Sequence, residues 1–193
     1  MIIFGLGNPG EQYRNTRHNV GHIFLNLLAK HFHKRFIRRN DHYACSLNVK
    51  GSALTFVKPV SWMNLSGAVT ARLTVKYKQE ILVVVDDIAL PLGRMRLRTR
   101  GSDGGHKGLR SIAEHLKTDD FARLRIGIGK PDINPADYVL SRFSKAEMSV
   151  VKKVIDEGIK GIEIAVKDGF EKAQNYINAV NLTDKSEALI SKS

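Results

Sequence analysis

Residues 1–21 read MIIFGLGNPGEQYRNTRHNVG. Ile2, Ile3 and Phe4 make a short apolar run that enters Gly5-Leu6-Gly7-Asn8-Pro9-Gly10, a literal G-x-G-x-x-G. In a dinucleotide-binding unit the last glycine opens a helix, and an acid about 20 residues further on binds a ribose hydroxyl. Here Pro9 interrupts the loop, helical periodicity starts only near Val20, and FLNLLAKHFHKR (24–35) carries no Asp or Glu. The nicotinamide reading, and with it a nucleotide-dependent oxidoreductase, fails on context. What stays is a strand, a tight Gly/Pro turn and a polar loop that ends in TRHNVG at a helix start. Gly7, Pro9 and Gly10 supply the backbone angles that fix the direction of Asn8. Its amide has both a donor and an acceptor with which to grip a peptide group. Ligands of α/β sheets collect outside the carboxyl ends of strands, where this loop lies. His18 is a candidate base, because histidine readily exchanges a proton near neutral pH.

Outward from this loop, strands and helices alternate. Val20, Ile23, Phe24, Leu27, Leu28 and Phe32 recur at helical spacing and predict a helix to about His33. YACSLNV (43–49) and ALTFVK (53–58) read as a strand pair joined across Lys50-Gly51-Ser52. NLSGAVTARLTVKY (64–77) is a weaker helix, since Gly67 and its β-branched residues count against it. ILVVVDD (81–87) is a continuous apolar run of the kind covered on both faces. RMRLR (94–98) and RLRIGIG (123–129) follow as strands, with GLRSIAEHL (108–116) a short helix between them. Apolar residues from Val150 to Val166 mark an amphipathic helix over 144–167, and a shorter helix covers 168–178. These elements predict a single α/β domain over residues 1–180, a twisted mixed β-sheet flanked by α-helices, followed by a polar C-terminal tail, 181–193.

The chain has 193 residues, enough to bury a core without staples. Its one cysteine, Cys45, lies in strand-like sequence and reads as a small buried apolar side chain, as expected in a reducing compartment. With no charged-then-apolar leader and no apolar run near the length of a membrane span, the expected location is cytoplasmic, with no membrane partner. Lys and Arg number 31 against 19 acids, a net charge of +12 that attracts polyanions. Arg94, Arg96, Arg98 and Arg100 occupy alternate positions, so a strand would present them on one face with Met95 and Leu97 on the other. The planar guanidinium fork suits phosphate, which favours a phosphate-rich partner over a merely solvated strand face.

ILVVVDD delivers Asp86 and Asp87 to a strand's carboxyl end, where a carboxylate can hold an imidazole in one tautomer and favour its protonated form. Neighbouring strand residues face opposite ways, which argues against a two-aspartate metal site. Without H-E-x-x-H, C-x-x-C or G-x-S-x-G there is no marked metal site or nucleophile, so a His/Asp pair acting directly on water is the natural chemistry.

Five blocks, GLGNPGEQYRNTRHNVG (5–21), SWMNLSG (61–67), VVVDDIALPLG (83–93), GGHKGLRSI (104–112) and FARLRIGIGKP (121–131), resemble in order and spacing the bacterial peptidyl-tRNA hydrolase family. The resemblance runs from residue 1 to about 178. It implies an esterase that cleaves the bond between a peptide and the terminal ribose of tRNA, recycling tRNA from chains released early. It also implies a monomer that needs no metal and no organic cofactor. Carried over by position, it makes His18 the general base and Asp86 its orienting partner, with Asn8 on the peptide. Asn64 would bind the substrate end and the attacking water or oxyanion, Tyr13 and Trp62 the tRNA terminus, and Met63 the cleft wall. Arg98 matches a phosphate-binding position, and Arg123 or Arg125 supplies another. Two departures stand out: Trp62 replaces a smaller aromatic, and Lys107 stands where the family has Asn in GGHNGL. Lysine has three donors and no acceptor, so it cannot copy an amide's positioning of water, although it can hold a phosphate or a carbonyl. A second reading, an RNA-binding protein that kept this fold and lost the chemistry, gains from Lys107 and loses to the joint presence of Asn8, His18, Asn64 and Asp86. Asp87 reads as a supporting acid or as having no role.

Overall fold

A computed structural model describes residues 1–49 and 51–183. Seven strands form one mixed sheet: β1 (Ile2–Gly5), β2 (Ile37–Arg38), β3 (His42–Val49), β4 (Ser52–Pro59), β5 (Ile81–Asp87), β6 (Met95–Arg98) and β7 (Ala122–Gly127). Their order is β2-β3-β4-β1-β5-β7-β6. The four central strands, β4, β1, β5 and β7, are parallel, with Phe4 level with Val57 on one side and Val83 on the other. The outer strands run antiparallel. Among the described residues six α-helices accompany them: α1 (Val20–His31), α2 (Ser66–Tyr77), α3 (Lys107–Leu116), α4 (Pro135–Leu140), α5 (Lys145–Asp168) and α6 (Phe170–Ala179). This is the predicted fold class.

Alternation along the strands builds two cores. Ile3, Phe56, Leu82, Val84, Leu124 and Ile126 face α1, α5 and α6, while Ile2, Phe4, Val57, Val83 and Val85 face α2 and α3. β1 and β5 contribute to both, which is why their sequences are apolar without alternation. Cys45 is buried in the first core, as expected. No helix among the described residues is long and apolar enough to cross a membrane.

Two glycines place the start of α1. A Cβ on Gly21 would lie 2.4 Å from the Val84 carbonyl oxygen, and one on Gly5 would lie 2.3 Å from the Gly21 carbonyl oxygen. Only paired glycines let helix and strand backbones touch here, and that contact sets the residues before α1 against the end of β5. Arg17 ties the same loop to the opposite wall. Its guanidinium pairs with both Glu147 oxygens at 2.8 and 3.0 Å and lies 4.4 Å from the Tyr138 ring centre. Glu147 also accepts from the Ser144 N–H and so caps α5.

The structure adds β2 and α4, which the sequence did not reveal, and trims several boundaries. The helix expected from Asn64 begins as a 3-10 turn at Met63–Leu65 before α2. Of the expected arginine row, only Arg96 and Arg98 lie within β6 with their side chains exposed. Arg94 forms an isolated bridge to Asn181, and Arg100 follows the strand in a bend. At the head of the expected tail, Leu182 donates its N–H to the Gly93 carbonyl. Residues 184–193 of that tail lie outside the described residues.

Candidate active site

The carboxyl ends of β1 and β5, the segment after β4 and the N-terminus of α3 open onto one cavity of about 580 Å³. Asn8, Tyr13, His18, Trp62, Met63, Asn64, Asp86, Lys107 and Arg125 all line it. Two residues named from the sequence do not: Arg98 and Arg123.

At its floor Asp86 is 3 % exposed, and a single oxygen, Oδ1, receives two imidazoles. His18 Nδ1 lies 2.7 Å away and His106 Nε2 lies 3.1 Å away, the two rings 5.1 Å apart. The tautomer of His106 follows from its surroundings. It is the N-cap of α3, and its Nδ1 accepts the Leu109 N–H at 3.2 Å, so its proton sits on Nε2 and points at Asp86. His18 donates its Nδ1–H to the same oxygen, which leaves the Nε2 lone pair for the cavity. Burial opposes ionisation of Asp86. The two imidazoles, His106 ahead of His18, outweigh it and hold the carboxyl well below the usual carboxylate range.

His18, Asp86 and His106 bring three metal-ligand types within 4.8 Å of one another. A cation would need the Nε2 lone pair of His106, and that requires a proton on Nδ1, where the Leu109 N–H already points. The constellation fits protons rather than a metal ion. His106 is the site residue the sequence reading passed over. It stood in the quoted GGHKGL block, but nothing in the sequence shows that the α3 N-cap reaches the end of β5.

Asn8 is held from three sides. Its backbone N–H donates to Asn19 Oδ1 at 2.8 Å, and Asn19 Nδ2 returns a bond to the Asn8 carbonyl at 2.9 Å. Its own Oδ1 accepts the Met63 N–H at 2.8 Å. One lone pair of the acceptor that was to grip a peptide is therefore engaged inside the protein, and the Nδ2 donor is left for the cavity. Asn64 is exposed at the rim, and its side chain has no hydrogen bond among the described residues. Trp62 is 49 % exposed and meets Tyr13 edge-on with ring centres 5.8 Å apart.

The arginines divide by burial. Arg123 is 1 % exposed, and its guanidinium is consumed by the carbonyls of Gly101, Ser102, Asp119 and Phe121. It fastens the loop before α3 and is not available to a phosphate, which corrects its candidacy. Arg125 bonds Ser102 O at 2.8 Å and Asp87 Oδ2 at 3.3 Å, so Asp87 is a supporting acid. In the β6–β7 ladder Arg96 stands level with Arg125, and Arg98 with Arg123. Like charges placed directly opposite one another destabilise a sheet, and the Asp87 carboxylate offsets the first of these pairs.

A sequence model of the peptidyl-tRNA hydrolase family matches residues 2–187. A peptidyl-tRNA hydrolase of Fervidobacterium nodosum is 44% identical over 186 residues, which cover 95% of this chain and 98% of that relative. One of Bacillus subtilis is 40% identical over 93% of this chain and 98% of its own length. The crystal structure of peptidyl-tRNA hydrolase from Acinetobacter baumannii superposes with a TM-score of 0.86 at 33% identity, covering 93% of this chain and 95% of that one. With one fold, one ordered set of motifs and matches along nearly its whole length, the chain belongs to the peptidyl-tRNA hydrolase family.

Proposed function

We propose that this chain hydrolyses the ester between a peptide and the terminal ribose of tRNA by letting His18 activate water. The observation that carries the reading is the 2.7 Å contact of His18 Nδ1 with buried Asp86, which leaves Nε2 facing the cavity. Nε2 takes a proton from water as the oxygen attacks the ester carbonyl. Asp86 balances the imidazolium that forms, and His106 fixes the carboxylate from behind. The Asn64 amide is placed to donate to the developing oxyanion, and the Asn8 Nδ2–H to a peptide carbonyl next to the ester. A free aminoacyl group has no such carbonyl. Purified protein is therefore expected to release N-acetyl-aminoacyl groups from tRNA and to leave free aminoacyl-tRNA intact. Equal rates on both would sink the reading.

On the RNA side, Trp62 and Tyr13 offer ring faces to the terminal bases, and base stacking of this kind tolerates sequence. Arg125, Lys107, Arg96 and Arg98 extend a cationic wall from the cavity along the β6 edge. Lys107 is exposed in the first turn of α3, directly after His106. Its ammonium fits a phosphate oxygen better than it fits the water that an amide would hold. In Lys107→Asn, substrate affinity is expected to fall several-fold and its salt dependence to become shallower by about one unit of log–log slope. Titration of substrate across a salt series measures both, and an unchanged slope removes Lys107 from the phosphate wall.

A further inference from the structure

The basic stretch 30–39 plays no part in the site above. It holds Lys30, Lys34, Arg35, Arg38 and Arg39, and no acid stands between Glu11 and Asp41. The segment is built rather than loose. His33 takes the left-handed conformation, φ 52, after α1, and the Lys34 N–H bonds back to the Ala29 carbonyl at 2.8 Å. The chain then forms β2, whose Arg38 stands level with Tyr43, which in turn stands level with Lys58 on β4. The Arg38 guanidinium lies 5.1 Å from the Tyr43 ring centre, and the Lys58 ammonium 4.1 Å from the Phe36 ring centre. Among the described residues, Lys34, Arg35, Arg38 and Arg39 have no carboxylate within ion-pair distance, and all four are exposed.

Charge on an outer strand can serve simply to block edge-to-edge association. β2 is two residues long, so its brevity already serves that end, and four unpaired cations within six residues exceed the need. Their mutual repulsion destabilises the folded state until a polyanion covers them. The edge is also tied to the segment that leads to the cavity. The Val60 N–H donates to the Asp41 carbonyl at 2.8 Å, placing the β2–β3 turn against the segment that carries Trp62. The β6 arginines lie at the opposite end of the sheet, six strand spacings or about 29 Å away.

We propose that Lys34, Arg35, Arg38 and Arg39, with Arg38 steadied on Tyr43, form a second phosphate-backbone surface that takes the helical body of the tRNA whose acylated end occupies the cavity. This rests on the reading of the cavity as the site for that end. Arginine stacked on a ring keeps its N–H fork free for phosphate and loses little freedom on binding. The charge of the edge and its backbone tie to the segment before Trp62 both point to the substrate's own backbone, which the reaction brings alongside.

The test compares wild type with the variant Lys34→Gln, Arg35→Gln, Arg38→Gln, Arg39→Gln. Equilibrium binding of uncharged full-length tRNA and of a CCA trinucleotide is measured across a salt series, and kcat/KM is measured on blocked aminoacyl esters of each. For full-length tRNA, affinity and kcat/KM are expected to fall about 10-fold or more at low salt, with the log–log salt slope shallower by about four. Values for the trinucleotide are expected to stay at wild type. A variant with Arg35, Arg38 and Arg39 changed to Lys keeps the charge and is expected to keep the slope. Unchanged tRNA affinity overturns the proposal, as does an equal fall on both RNAs, which would place the effect in the cavity or the fold. A loss confined to ribosomal RNA or to anionic vesicles overturns it as well. If wild type binds tRNA but cleaves neither ester, the catalytic reading fails while the binding comparison still decides this surface.

Discussion

Replacing His18 by alanine is expected to lower kcat on N-acetyl-aminoacyl-tRNA by about 10²–10⁴-fold, the usual worth of a positioned general base. That corresponds to about 3–5 kcal/mol of barrier. On the proposed mechanism the loss should fall on kcat rather than KM, because the imidazole acts on water while Trp62, Arg125 and the β6 edge hold the RNA. The variant should remain folded. His18 packs in the loop before α1, and the anchors of that loop are the Gly5–Gly21 contact and the Arg17–Glu147 pair, neither of which the substitution touches. Single-turnover rates at fixed pH, with tRNA affinity measured alongside, separate the two parameters. Near-native turnover would show that some other group activates water.

Asp86→Asn is expected to cost about 100-fold or more in kcat, roughly 2.7 kcal/mol. An asparagine can set its carbonyl oxygen where Oδ1 now stands, so both imidazole N–H donors keep an acceptor. The negative charge that balances the forming imidazolium is removed, so the substitution reports charge rather than geometry. It also has a signature in stability. The folded carboxyl of Asp86 titrates below its unfolded value, so the ionised group contributes stability above the ordinary carboxylate range. That contribution is lost as pH falls through the lowered folded value. The variant's stability should therefore be less steep in acid than that of wild type, and melting curves taken from about pH 5 downward provide the check.

Segments whose sequence reports their own environment were legible without the structure. Ile81–Asp87 reads as a central strand because covering both faces demands an unbroken apolar run, and α5 reads as a helix because one stripe of it is buried. The His18–Asp86 pairing was legible too, since the loop after β1 and the last residues of β5 lie where a parallel sheet gathers its carboxyl ends. β2 and α4 escaped because two and six residues are too few to show a period, although Asn134 and Pro135 are an N-cap and first-turn pair. The roles of His106, Asn8 and Arg123 depend on distant backbone groups. The Leu109 N–H sets the His106 tautomer, the Met63 N–H occupies the Asn8 acceptor, and the carbonyls of Gly101 and Ser102 absorb Arg123 while leaving Arg125 at the cavity. Alternation places Arg123 and Arg125 on one face, but it carries no information about which of them a loop will cover.

The shared Asp86 oxygen also governs which ring nitrogens the site leaves open. Both rings, their centres 5.1 Å apart, turn one nitrogen to that single oxygen. The other nitrogen of His106 is taken by the Leu109 N–H, so the open one belongs to His18. On the proposed mechanism a hydrogen leaving water thus has a single address in this pocket, and departs from it to the ribose oxygen.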